Sequence, residues 1–374
     1  MEEAFIPMSK PYIGNEEIEA VSEVLKSGWI TTGPKSYEFE SKFSSLTGAK
    51  QGLALSSGTA GMHLIFKALG ISKGDEVITP SMTFASTINQ IALAGAKPVF
   101  ADIDYDTLLV RPEEIARLIT KRTKAVIPVH FAGAPADMSA IESIAGNISI
   151  IEDAAHAIGT YYKGRHIGCR NLAVFSFHPI KNITTGEGGM ITGNDEELLR
   201  RIKLLKFHGI ERDAWKRYGK ASDPSYDIID PGFKYNMTDI QAVLGIVQLK
   251  RLPEINEKRA VIAKEYMNAF SALSGVDLPA SPAYEHVHSW HLFIVKLRSI
   301  SRQNFMEALT EHNIGYGLHF PACHTLSYVR DLCGEVRLPA TEEAAERIIS
   351  LPLYPGMKDY QVQRVIDVVK EIVG

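Results

Sequence analysis

Short apolar runs alternate with helical patterns from residue 50 to about residue 210, and this alternation constrains the fold more than any other feature. Such runs are typical of strands that are buried on both faces of a sheet. Helical segments between them indicate parallel strands joined by crossover helices. The predicted strands are Glu76–Thr79, Pro98–Ala101, Ala125–Val129, Ser149–Glu152, Ala173–Phe177 and Gly188–Thr192, and the helices between the first four are 84–94, 111–120 and 137–145.

The two ends of the chain have a different pattern. An amphipathic helix is predicted over residues 15–27, with Asn15 as its cap and Gly28 after its end. We therefore expect an α/β protein with a large domain at 1–250, built on a mostly parallel central sheet with helices on both faces, and a smaller α+β domain at 251–374. The remaining predicted elements are helices 195–207, 238–272, 301–312 and 358–372 and strands Trp290–Leu297 and Gly315–His319.

Composition narrows the class of protein. The formal net charge of −4 gives no electrostatic reason to expect a nucleic acid or an anionic membrane as a partner. The three cysteines form no CxxC pair, the N-terminal segment is acidic, and no apolar run approaches the ~20 residues that span a bilayer. We expect a cytoplasmic protein. His286, His288 and His291 lack neighbouring carboxylates or cysteines, so no metal site is expected.

A loop of small residues leads into a helix at Ser56-Ser57-Gly58-Thr59-Ala60-Gly61. Free backbone N–H groups and the helix dipole attract an anion such as a phosphate at such a position, and the Thr59 hydroxyl can add a contact. The alternative interpretation is an ordinary capped helix start.

Two charged side chains follow apolar strands. Asp153 ends the run Ile150-Ile151-Glu152, where a carboxylate is unfavourable unless a cation meets it, and a protonated pyridine nitrogen would be such a cation. A helix cap is the alternative. Lys181 lies in a glycine-rich polar loop after another strand, so it is a candidate Schiff-base lysine; a solvated loop lysine is the alternative. Phosphate loop, aspartate and lysine occur in the order that this chemistry needs.

The segment Asp153–His156, the run Ser176-Phe177-His178-Pro179-Ile180-Lys181-Asn182 and the run Glu187-Gly188-Gly189 resemble the DegT-type sugar aminotransferases. These are enzymes of fold type I that use pyridoxal 5'-phosphate (PLP). The resemblance extends over essentially the whole chain. Within the family the chain is most similar to the enzymes that make UDP-4-amino-4-deoxy-L-arabinose for lipid A, through the runs Thr79–Thr83, His130–Asp137, Tyr162–Gly168, Ser289–Phe293 and Gly317–Phe320.

The resemblance implies roles for particular residues. Lys181 would hold the cofactor and move protons, Asp153 would pair with the pyridine nitrogen, and His156 would lie near the phenolic oxygen. Phe84, where we expect tryptophan in the lipid A enzymes, would lie over the ring. The phosphate would be held by Thr59, the Ala60 backbone and Ser176, and the candidate substrate contacts are Trp29, His178 and His319.

The family also implies a homodimer with shared active sites. A polar residue of the partner chain would complete the phosphate site. Here that residue is Asn236, or Lys234 two positions earlier, because many members read Asn-Tyr-Arg where this chain reads Lys234-Tyr235-Asn236.

The predicted function is transfer of an amino group from L-glutamate to a nucleotide-linked 4-keto sugar such as UDP-4-keto-arabinose. Pro321 stands where a basic residue is expected in the lipid A enzymes, near the expected pocket. The alternatives are a 4-keto-6-deoxy hexose nucleotide as substrate, a PLP-dependent sugar dehydratase and a regulatory homologue without turnover. Dehydratases of one branch carry histidine in place of the lysine, so Lys181 argues against that alternative.

Overall fold

The computed structural model describes residues 4–210 and 226–374. Its strands are β1 Gln51–Leu55, β2 Glu76–Pro80, β3 Lys97–Ala101, β4 Thr123–Val126, β5 Ser149–Asp153, β6 Tyr161–Tyr162, β7 Arg165–His166, β8 Leu172–Ser176, β9 Gly189–Gly193, β10 Val276–Asp277, β11 His286–Val287, β12 Phe293–Leu297 and β13 Ile348–Leu351. Its helices are α1 Asn15–Ser27, α2 Pro34–Thr47, α3 Gly58–Leu69, α4 Ala85–Leu93, α5 Pro112–Leu118, α6 Met138–Ala145, α7 Glu196–Leu205, α8 Asp239–Phe270, α9 Arg302–Glu311, α10 Ser327–Cys333, α11 Pro339–Arg347 and α12 Asp359–Val373.

The central sheet has seven strands in the order β1-β9-β8-β5-β4-β2-β3. The pairs from β8 through β3 are parallel, and β9 runs antiparallel to both of its neighbours, β1 and β8. The predicted fold, a mostly parallel sheet in an α/β protein, is confirmed. Because parallel strands are linked by crossovers, their C-terminal ends lie along one edge of the sheet, where ligands bind in folds of this kind.

Both faces of the sheet are covered by helices. On β8, Phe175 packs in a cluster with Phe39 and Phe43 of α2 on one face. Its neighbour Val174 packs on the opposite face in a cluster with Leu64 of α3. Successive side chains of a strand point to opposite faces, so two adjacent residues contribute to two different cores. The near-continuous apolar character of these strands follows from this double burial.

The C-terminal part of the chain has its own apolar cluster. A three-stranded antiparallel sheet, β10-β12-β13, packs with the end of α8 and with α12 around buried residues that include Phe293 and Val365. The 32-residue helix α8 begins with a capping box at Thr238 and Gln241. The boundary predicted at residues 250/251 lies inside this helix, and the division into two domains remains a proposal.

Two local predictions were wrong. The segment Gly315–His319 is not a strand and makes only isolated bridges, such as that between Gly317 and Ser350. A Cβ added to Gly315 would lie 2.8 Å from the backbone nitrogen of Met8, so the segment crosses the N-terminal chain closely at this glycine and does not pair along a neighbouring strand. Helix α1 is capped by Gly14 and not by Asn15, because the Gly14 N–H donates to the Glu17 carboxylate at 2.7 Å.

A buried carboxylate fixes the entry of the N-terminal segment. Asp239, the first residue of α8, accepts hydrogen bonds from the backbone N–H groups of Gly33 at 2.8 Å and Ser36 at 2.9 Å, and from the Ser36 hydroxyl at 2.8 Å. These backbone donors belong to the N-terminus of α2, so one side chain caps a helix that is distant in the sequence. Pro34 at the first turn of α2 needs no such partner.

We predict that Asp239→Ala lowers the free energy of unfolding by about 2–4 kcal/mol, because several buried donors lose their acceptor. Guanidinium denaturation followed by circular dichroism measures the change. Asp359→Ala, at the exposed start of α12, is the matched control and should change it by less than about 1 kcal/mol. Equal effects of the two substitutions would contradict the assigned role of Asp239.

Candidate active site

A cleft of about 380 Å³ lies at the C-terminal edge of the parallel strands. It is formed where the chain leaves β1, β2, β5 and β8, and it is closed by a segment from the C-terminal part of the chain. The residues that line it include Ser57, Thr59, Thr83, Phe84, Thr87, Asp153, His156, Ser176, His178, Ile180, Lys181, Glu187, His319 and Phe320. Eight of the predicted site residues therefore meet in one place, although they come from five separate stretches of sequence.

Asp153 and Lys181 form the charged centre of the cleft. The Asp153 carboxylate ends β5 and accepts hydrogen bonds from the Ala155 N–H at 3.2 Å and the Thr87 hydroxyl at 3.1 Å. Burial raises the pKa of Asp153, while these hydrogen bonds and the charge of Lys181 act in the opposite direction. No helix follows the aspartate, so the alternative of a helix cap does not apply.

Burial lowers the pKa of the Lys181 amine to about 8, although the charge of Asp153 opposes the shift. The backbone N–H of Lys181 donates to the His178 carbonyl at 2.8 Å, which makes the tight turn that directs the lysine into the cleft. An amine with this pKa is partly unprotonated near neutral pH and can therefore act as a nucleophile.

The predicted phosphate loop begins α3. The Ser57 hydroxyl caps the helix by accepting the Ala60 N–H at 3.0 Å, so that backbone donor already has a partner in this structure. Gly58, Thr59 and Ser176 remain along the cleft, and the N-terminus of this 12-residue helix supplies positive potential. The backbone of β9 approaches the loop so closely that a Cβ on Gly189 would lie 2.4 Å from the carbonyl carbon of Ser57.

Aromatic rings form the opposite side of the cleft. The ring of His156 is stacked on the ring of Phe320, with centroids 5.6 Å apart. The centroid of the Phe84 ring lies 5.9 Å from that of Phe320, and Phe84 is 60% exposed. Burial and the charge of Lys181 lower the pKa of His156 well below its ordinary value and that of His319 to about 4. Both imidazoles are therefore neutral near pH 7.

Four predicted residues do not line this cleft within one chain, namely Ala60, whose N–H is bound by Ser57, and Trp29, Lys234 and Asn236. Trp29 donates its indole N–H to the Thr32 carbonyl at 3.1 Å, and the Asn236 amide donates to the Thr32 hydroxyl. The ammonium of Lys234 lies 4.1 Å from the centre of the Phe207 ring. Trp29, Thr32 and Asn236 thus form a separate polar group, named here the Thr32 cluster.

Thr87 and Phe320, which line the cleft, and His291, which packs beside it, were not among the predicted site residues. Thr87, which orients Asp153, lies one turn after Phe84 on α4 and could have been found as a buried hydroxyl on the sheet side of a predicted helix. Phe320 comes from a segment in which a strand was wrongly predicted. His291, whose ring centroid is 4.3 Å from that of His156, was considered only as a metal ligand.

The donor set matches a planar cofactor with three functional groups. A helix N-terminus suits a phosphate, a buried carboxylate suits a protonated ring nitrogen, and a lysine with a depressed pKa suits an aldehyde carbon. Together with the sheet topology, these features define a PLP-dependent enzyme of fold type I.

The comparisons with known proteins give the family. The model of the DegT/DnrJ/EryC1/StrS aminotransferase family matches residues 11–370. The chain belongs to this family and is a PLP-dependent sugar aminotransferase.

Solved structures of relatives are similar over nearly the whole chain. A protein of Streptococcus pneumoniae described as a sugar aminotransferase, Spr1654, is 34% identical in its PMP form, with a TM-score of 0.92 and coverage of 98% of this chain and 99% of that chain. The aminotransferase TlmJ of Streptoalloteichus hindustanus is 32% identical, with a TM-score of 0.91 and 98% of each chain covered. Helicobacter pylori PseC, an aminotransferase involved in the biosynthesis of pseudoaminic acid, is 27% identical, with a TM-score of 0.91 and 99% of each chain covered.

We predict that covalent capture of PLP by the apoenzyme accelerates as the pH rises, with a midpoint near the Lys181 pKa of about 8, because only the free amine reacts. Since the charge of Asp153 raises the pKa of Lys181, Asp153→Asn should move this midpoint to lower pH. Stopped-flow absorbance over pH 6–10 measures both. A midpoint near the ordinary lysine value of 10.5, or an upward shift in the variant, would contradict the assignment.

Proposed function

We propose that this enzyme transfers the amino group of L-glutamate to the 4-keto group of a nucleotide-linked sugar, and that the sugar is a UDP-linked 4-keto pentose used for lipid A. The observation that carries the first part is that Asp153 and Lys181, whose opposite charges interact, line one cleft together with the N-terminus of α3. The choice of sugar rests on the sequence runs shared with the enzymes of lipid A modification.

Each proposed catalytic role follows from a local contact. PLP, when bound, supplies an electron sink and carries the amino group between the two substrates. Lys181 would hold the cofactor, and its amine would move the proton of the substrate carbon. Asp153, held by Thr87 and Ala155, keeps the ring nitrogen protonated.

His156 is proposed to donate a hydrogen bond to the phenolic oxygen of the cofactor. Its Nδ1 accepts the Ala132 N–H at 3.3 Å, so a neutral ring carries its proton on Nε2. Phe84 covers the cofactor ring, and Thr59, Ser176 and the Ala60 backbone hold the phosphate. Because Ser57 occupies the Ala60 N–H, this last contact requires that the N–H be shared or that Ser57 turn away.

His178 and His319 are proposed to contact the sugar nucleotide, since both line the cleft and His319 is held by the Ser350 hydroxyl at 2.9 Å. A hexose nucleotide is the second candidate. It is favoured by Pro321, which stands where a basic residue is expected in the lipid A enzymes.

We infer that the enzyme is a homodimer and that the Thr32 cluster completes the cleft of the partner subunit. Its members lie outside the cleft of their own chain, and the Asn236 amide oxygen is buried without a hydrogen-bond partner among the described residues. An unpaired buried amide is unfavourable, and it can be satisfied by a group from outside the chain. Asn236 fits this role better than Lys234, whose ammonium already lies over an aromatic ring.

We predict that the absorbance band of the purified PLP enzyme disappears on addition of L-glutamate, because Lys181 is released when the amino group is transferred. Lys181→Ala should show no such band and no detectable transamination. Lys163→Ala, an exposed lysine of the β6–β7 hairpin, is the control and should behave as wild type.

The enzyme that has reacted with glutamate is then offered 4-keto pentose and hexose nucleotides with UDP or dTDP. A protein that binds PLP but does not respond to glutamate would contradict the proposed donor, and no uptake of PLP would contradict the whole proposal.

The shared site makes a separate prediction. Asn236→Asp places a negative charge beside the phosphate and should be nearly inactive, as should Lys181→Ala. If Asn236 acts across the dimer, random mixing of the two variants restores about one quarter of wild-type activity, because a mixed dimer contains one intact site. No restoration after subunit exchange would mean that Asn236 acts within its own chain. A parallel mixture with Lys234→Glu tests the other candidate.

A further inference from the structure

The residue that follows the proposed catalytic lysine is fully engaged in hydrogen bonds. The Asn182 side chain is buried, and its Nδ2 donates to the Asn256 Oδ1 and to the Ser289 carbonyl, each at 2.8 Å. The orientation of Asn256 is fixed in turn, since its own Nδ2 donates to the Ile158 carbonyl at 3.3 Å. Both partners of Asn182 Nδ2 are therefore acceptors, and the Asn182 amide can stand in only one orientation.

This orientation determines the protonation of His291. The Asn182 Oδ1 faces the Nδ1 of His291 at 3.2 Å, and an oxygen can only accept, so the proton of His291 is on Nδ1. Its Nε2 is then a bare lone pair, and this atom is buried with no hydrogen-bond partner among the described residues. Burial lowers the pKa of His291 well below its ordinary value, and the charges of His156, Lys181 and Arg259 act in the same direction, so a second proton is unfavourable. His291 is thus held neutral in a single tautomer.

The backbone around His291 is held as firmly as its ring. Arg259 of α8 is fully buried, and one of its guanidinium nitrogens donates to the carbonyls of Trp290, His291 and Leu353, at 3.3, 3.2 and 2.9 Å. Burying a cation among carbonyl oxygens costs desolvation energy. Such a cation is found where its hydrogen bonds hold the backbone in place. Here they fix the strand entry that presents His291 to the His156 ring, 4.3 Å away between centroids.

A continuous path of contacts thus joins the two halves of the site. The loop of Lys181 continues into Asn182, Asn182 binds His291, and His291 packs against His156. The Asn182–His291 hydrogen bond links the lysine loop, which leaves β8, to the segment that precedes β12. We propose that Asn182 and His291 are positioning residues for transamination, which hold Lys181 and His156 at a fixed separation. This inference rests on the proposed function, because it assigns positioning partners to Lys181 and His156, the two residues that act in the proposed reaction.

Steady-state and single-turnover kinetics of the PLP enzyme with L-glutamate test the proposal. Asn182→Ala and His291→Phe should lower kcat by about 10- to 100-fold and leave the KM for glutamate within about threefold, since a small displacement of reacting groups affects the rate far more than binding. His291→Gln keeps an N–H that can reach Asn182 and should recover most of the rate. His324→Gln is the matched control, because His324 is also buried and hydrogen-bonded but lies outside the cleft, and its kcat should not change.

Equal kcat for wild type, Asn182→Ala and His291→Phe would overturn the proposal, as would a loss of rate in His291→Gln as large as that in His291→Phe while both variants remain folded. Failure of the wild-type enzyme to react with glutamate would instead count against the proposed function.

Histidine-selective ¹⁵N spectra of the wild-type PLP enzyme test the protonation of His291 without turnover. The resonance that disappears in His291→Gln should show a protonated Nδ1 and an unprotonated Nε2 from pH 6 to pH 9. A proton on Nε2, or a second proton taken up in this range, would overturn the assignment of the Asn182–His291 hydrogen bond.

Discussion

The half-buried carboxylate of Asp153 and the opposite charge of Lys181 form the interaction on which the site depends. At the end of an apolar strand the carboxylate is unfavourable without a positive partner, and the turn at Ala155 and the hydroxyl of Thr87 do not neutralise it. Lys181 supplies the opposite charge from the end of the next strand in the sheet, and its own pKa is lowered by the same burial. The charge of each group therefore shifts the pKa of the other. Both groups can give up this electrostatic interaction in order to bind the cofactor.

The rest of the cleft is built from chain segments that meet only through topology. Parallel strands direct their C-terminal ends to one edge, and β9 runs backward past the loop at Ser57, where Gly189 permits close contact. The aromatic side of the cleft combines Phe84 and His156 with His319 and Phe320 from the C-terminal part of the chain. A site made from both parts can enclose a substrate between them without any rearrangement of the central sheet.

The alternation of apolar strands and helices predicted six of the seven strands of the central sheet and missed β1. The charged residues at strand ends were sufficient to predict that Asp153 and Lys181 meet in one cleft, and their catalytic roles stay predictions. The segment around Gly317 was mispredicted because its shape is set by a crossing chain, a contact that no local pattern carries. The position of Trp29 outside the cleft of its own chain could not be predicted for the same reason, whereas that of Asn236 agrees with its expected role in the partner's site. The tautomer of His291 depends on Asn182 and Asn256, which are far apart in sequence and meet only in the folded chain.

Helix α8 has a consequence for recombination between relatives. At 32 residues it is about 48 Å long, and it holds one part of the protein at its first residue and another about two thirds of the way along. Asp239 binds the segment that carries the Thr32 cluster, and Arg259 binds the segment that carries His291. A chimera that joins the N-terminal part of one family member to the C-terminal part of another must therefore inherit this helix from a single parent, together with both segments that it anchors. With a crossover inside the helix, the spacing between the two anchoring residues would come from one parent, while the side chains that they contact would come from the other.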